Sequence, residues 1–145
     1  MPYQSDYILR MIEMVGQAIR RIVSALREQR PNEATGIAGE AVSEIMGVAP
    51  DTLDRLSGPS IVTLLSFGGA VDGFKAHMVG ELLYARADAY RDAGLAIESA
   101  RDVERATAVL SAALPYVQGD DLDRVEELLD WLRDGVWVRD FLKGG

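Results

Sequence analysis

Residues 79–114, VGELLYARADAYRDAGLAIESARDVERATAVLSAAL, decide the fold. Leu83, Ala87 and Tyr90 recur at helical spacing up to Gly94, where a left-handed helix end favours a residue without Cβ. Beyond that stop, Val103, Ala106, Val109, Leu110, Ala113 and Leu114 share one side of a second helix. Ser99, with Asp102 three residues on, reads as a capping box that opens this second helix, hydroxyl and carboxylate each satisfying a free backbone N–H. Two apolar stripes separated by a helix stop predict an antiparallel αα-hairpin over about 71–117, with its first helix over about 71–93.

The spacing resembles half of a tetratricopeptide repeat, with Leu83, Tyr90, Gly94, Ala106 and Leu110 at similar places. Arg86 stands where that family has Leu, and about seven extra residues separate Tyr90 from Ala106. The resemblance implies stacked antiparallel hairpins whose first helices line a concave, partner-binding side. On the first helix here, His77, Glu81, Tyr84, Asp88 and Arg91 fall on one line, which is expected to be exposed and to be the candidate interaction face. Arg86 lies within the apolar arc instead. An unpaired guanidinium there would be costly, so a carboxylate such as Asp102 or Glu104 is its expected partner.

Upstream, Tyr7, Met11, Val15, Ala18, Ile22 and Leu26 share one half of a helical wheel with Ile8, Ile12, Ile19 and Val23, predicting an amphipathic helix over about 6–30 that ends before Pro31. Residues 1–30 hold five Arg against three acids, whereas the remainder holds ten bases against twenty acids. This basic helix is expected to pack its wide apolar face on its own acidic body. Its opening stretch, YQSDYILRMIE at residues 3–13, resembles the N-terminal signature of a family of small uncharacterised bacterial all-helical proteins. The resemblance implies a bacterial source and an α-helical fold, and it supplies no catalytic residues.

The intervening sequence predicts a helix over 33–46 with Gly36 and Gly39 inside it, then two short proline-opened helices over 50–56 and 59–67. Gly68, Gly73 and Lys75 come near a phosphate loop, but Phe74 separates the last Gly from Lys75 and Ala76 follows where Ser or Thr would bind Mg²⁺. Downstream, an acidic helix over about 120–134 has Leu122, Val125, Leu128, Leu129 and Leu132 as its expected buried stripe, with Asp120 or Asp121 as its cap. Trp131 and Trp137 are placed to cover the open end of the core, or, with Phe141, to meet a second subunit.

A chain of 145 residues, 48% hydrophobic and 26% charged, is one folded domain spanning 1–145, all-α and built of stacked helical hairpins. Its net charge of −8 repels phosphate backbones and anionic lipids, so neither nucleic acid nor membrane is an expected partner. The absence of Cys removes thiolate chemistry and Cys-based metal sites, and the single His leaves His77 and Glu81 one ligand short of a catalytic metal centre. No metal, cofactor or catalytic residue is expected, and a cytoplasmic location is the simplest assignment. A non-catalytic interaction module or small scaffold is the leading expectation. A small-molecule binder or enzyme with a site around His77, Glu81 and Tyr84 is one alternative, and a homo-oligomer joined through Trp137 and Phe141 is another.

Overall fold

The computed structural model describes residues 2–140, with side chains from residue 6 onward. The chain is an all-α domain: α1 (Pro2–Arg27), α2 (Pro31–Met46), α3 (Pro50–Leu53), α4 (Gly58–Leu64), α5 (Gly73–Asp92), α6 (Ala96–Ala113) and α7 (Gly119–Asp134). The expected continuation of the second short helix to residue 67 is replaced by two-residue strands, β1 (Ser66–Phe67) and β2 (Ala70–Val71). Gly68 and Gly69 both take positive φ between them, as a two-residue hairpin turn requires, so the glycine of the phosphate-loop likeness serves a β-turn.

The helix α5 is the axis of the domain. It packs most heavily on α6, next on α2, and also touches α1 and α7. Its wheel has no clean polar side because neighbours cover nearly all of it: Val79, Leu82, Leu83, Ala87 and Ala89 are buried, and so are His77, Tyr84, Arg86 and Asp88. At the α5–α6 crossing Gly80 has no room for a side chain, because a Cβ there would collide with Leu110. The glycine thus sets how closely the two helices approach, which fills the core between them.

The α5–α6 hairpin turns at Gly94 as predicted, with φ of +79°. Its second helix starts differently. Leu95 is the N-cap of α6 and offers no side-chain cap, while Ser99 lies inside the helix, where its hydroxyl donates to the Ala87 carbonyl at 2.8 Å. Asp102 faces α5 as well. The Ser-x-x-Asp spacing therefore serves helix-to-helix bonds one turn inside α6 rather than a cap. At α7 the N-cap is Gln118, with Asp120 and Asp121 in the first turn, where their charges favour the helix dipole.

With 26 residues against 16, α1 outruns α2 by roughly 15 Å at 1.5 Å per residue. In the last turn of α2, Glu44 and Ile45 share one groove with Tyr7, Arg10, Met11 and Met14. Met11, Val15, Ala18 and Ile22 pack into the core, whereas Tyr7 (44% exposed), Ile8 (38%), Leu9 (60%) and Ile12 (47%) do not. The expectation that the body covers the whole apolar half of α1 fails for this geometric reason. Tyr7 keeps a partial cover, with Lys75 Nζ of α5 5.6 Å from the centre of its ring, while Ile8, Leu9 and Ile12 face water.

Candidate functional site

The line His77, Glu81, Tyr84, Asp88 and Arg91 is not the exposed face that its spacing predicts. His77, Tyr84 and Asp88 are buried, Glu81 is half-buried, and only Arg91 reaches solvent. The expectation treated polarity as exposure. Here α1, α7 and the segment after α7 close over that side of α5, and each polar group is met by a specific partner. His77 Nε2 lies 3.1 Å from Glu81 Oε2, and Arg124 of α7 holds both Glu81 oxygens, at 2.8 and 2.9 Å. Burial works against the Glu81 carboxylate, but hydrogen bonds from His77 and Arg124 more than offset it, so its pKa falls below the usual value.

One turn on, Tyr84 donates its hydroxyl to the Val136 carbonyl at 2.8 Å and stacks on Trp137 at 5.4 Å between ring centroids. Burial, with the Asp88 charge nearby, pushes the phenol pKa up. Asp88 accepts the Arg139 backbone N–H at 3.0 Å, and its other oxygen lies 3.4 Å from Arg139 Nε. Burial raises the Asp88 carboxyl to about 6, against the stabilising pull of Arg139. The Arg139 guanidinium also pairs with Asp92. The α5 line is therefore a latch that holds residues 136–139 against the bundle. It also settles where Trp137 lies: at 7% exposure it is covered within its own chain, so it offers no surface to a second subunit. Its expected companion Phe141 lies outside the described residues.

Between α1, α5 and Val138 these groups leave a slot of about 70 Å³, walled by Ile19, Ile22, Val23 and Leu26 and touched by Glu81, Tyr84, Asp88 and Arg124. Asp88 has the value a general base near neutral pH needs. The slot itself is less than half the ~150 Å³ of an apolar cavity that admits benzene. Among the described residues no three His, Asp or Glu side chains converge in a metal-holding group.

The opposite side of α5 carries a second buried network. Asp102, fully buried, accepts from Arg86 Nε at 2.6 Å and Nη2 at 2.9 Å, and from Arg105 Nη1 at 2.9 Å. Arg105 also donates to the carbonyls of Leu56 and Asp54, tying the connector after α3 to α6. Arg86 thus finds the first of its two expected partners, and Glu104 is exposed. Burial disfavours the Arg86 cation, but the Asp102 bonds overcome that and hold its pKa above the ordinary guanidinium value. Gly39 of α2 gives the guanidinium its space, since a Cβ there would stand 3.1 Å from Arg86 Nη1.

Sequence reasoning passed over Arg124, Arg139 and Arg105. Arg124 had a signal: it is the one base among the acids of 120–130, and it adjoins the buried Val125. Comparison with known proteins finds no matching family model, curated protein or solved structure. Among the described residues no helix is long and apolar enough to cross a membrane.

Proposed function

We propose that the protein is a non-catalytic protein-interaction module, as its tetratricopeptide-like hairpin suggests, and that its docking element is α1 rather than α5. The observation that carries this reading is the set of exposed large apolar side chains in the first half of α1, Ile8, Leu9 and Ile12, with Tyr7, whose ring also meets Lys75. Neighbouring apolar residues in water are the signature of a binding surface. A groove of about 320 Å³ along Tyr7, Met11, Met14 and Ile45 adjoins them. The groups that would serve a small-molecule site at His77 and Glu81 are instead engaged in holding α7 and residues 136–139.

A photo-crosslinking residue in place of Ile12, in cells expressing the chain, tests this. Discrete adducts at position 12, absent when the same residue replaces exposed Thr107 on α6, support it. Equal labelling at the two positions refutes it.

A further inference from the structure

From the charge pattern of α1 we infer that its docking partner is a second copy of this chain, paired antiparallel along α1. This rests on the reading of α1 as the docking helix and names the occupant.

Asp6, Glu13, Arg20 and Arg27 follow one another at intervals of seven residues, so they form one line along α1 in the order acid, acid, base, base. All four are exposed, and among the described residues none makes an ion pair within its own chain. Seven residues is roughly 10 Å of helix rise, too far for Glu13 and Arg20 to pair with each other on one helix. Across a twofold axis between residues 16 and 17, however, Asp6 stands opposite the Arg27 of the other copy, and Glu13 opposite its Arg20. A parallel pair would set acid on acid and base on base. The line is complementary to itself in the antiparallel sense alone.

Beside that line runs an apolar seam at heptad spacing: Leu9, Ile12, Ile19 and Val23, interrupted by Gly16. Leu9 and Ile12 are exposed, while Ile19 and Val23, which wall the slot against α5, are half-buried and present only part of their surface to the seam. Gly16 is the second independent feature. In a helix interior it costs about 1 kcal/mol relative to Ala, yet within this fold a Cβ there would meet only the Arg20 side chain, at 3.5 Å. Among the described residues no neighbour requires it. At the centre of an antiparallel pair, two helices approach most closely at that point, and a residue without a side chain admits them.

Charge inversion tests the pairing on the full chain. Sedimentation should give twice the 15.8 kDa chain mass for the natural sequence. It should give single-chain mass for Asp6→Arg/Glu13→Arg and for Arg20→Glu/Arg27→Glu, each checked for native helicity, and dimers again when the two variants are mixed. Single-chain mass for the natural protein at all concentrations, or undiminished dimers of either variant alone, overturns the pairing. Adducts from position 12 to a different protein would then preserve α1 as the docking helix while removing the second copy.

Discussion

Replacing Asp102 by Ala tests the buried network at its centre. Asp102 accepts three hydrogen bonds from two guanidinium groups whose side chains are 4% and 10% exposed. Removing one partner of a buried ion pair costs about 3–5 kcal/mol, because a charge is left without compensation. Arg105 keeps the carbonyls of Leu56 and Asp54, and Arg86 keeps Asp54 Oδ1 at 3.1 Å and the Tyr90 ring, which places the loss toward the lower end. A loss of about 3 kcal/mol in a chain of this size lowers the melting temperature by roughly 10 °C. Thermal unfolding followed by circular dichroism measures it, with Arg133→Ala on the exposed face of α7 as the control. Replacing Arg86 and Asp102 together by Met and Leu should restore much of the loss, since apolar side chains of similar volume carry no desolvation penalty. A melting temperature for Asp102→Ala within about 2 °C of the natural protein would refute the reasoning.

Other consequences are equally specific. Because the Asp88 carboxyl is raised to about 6 from an unfolded value of 3.8, the folded state binds the extra proton between those values, and this group's contribution to stability falls as pH rises through 6. Asp88→Asn should therefore gain about 2–3 kcal/mol on the natural protein between pH 4 and pH 7, and parallel melting profiles would contradict it. Gly80→Ala should lose about 1–3 kcal/mol in denaturant unfolding through its clash with Leu110. Trp137→Ala should destabilise by about 3–5 kcal/mol while leaving the sedimenting mass unchanged, because its ring is buried in its own chain.

The helices and the hairpin stop at Gly94 were legible because each rests on local rules, apolar periodicity and backbone conformation, which a single segment carries by itself. The exposure of the α5 line was not. Spacing puts His77, Glu81, Tyr84 and Asp88 on one side of α5, but whether that side meets water depends on Arg124, some 40 residues on, and on the carbonyl of Val136 beyond it. The same distance from cause to effect misplaced Ser99 and Asp102, whose cap-like spacing is local while their partners, Ala87 and Arg86, sit on the preceding helix. On α1 the apolar half-wheel was read correctly as a pattern. Ile8 and Ile12 stay exposed because of the length of α2 and the placing of α5, which periodicity within α1 cannot register.

The most direct test of α1 as a self-docking helix is a distance between two copies. The chain contains no Cys, so a single substitution at Gln17 or at Ser24 carries one spin label per copy. Antiparallel pairing about residues 16 and 17 predicts a short label-to-label distance at Gln17, near the 8–10 Å interaxial spacing plus the two label arms. At Ser24 it predicts an axial separation of roughly 22 Å on top of that spacing. Equal short distances at both positions, or no dipolar coupling between copies at Gln17, would contradict the account.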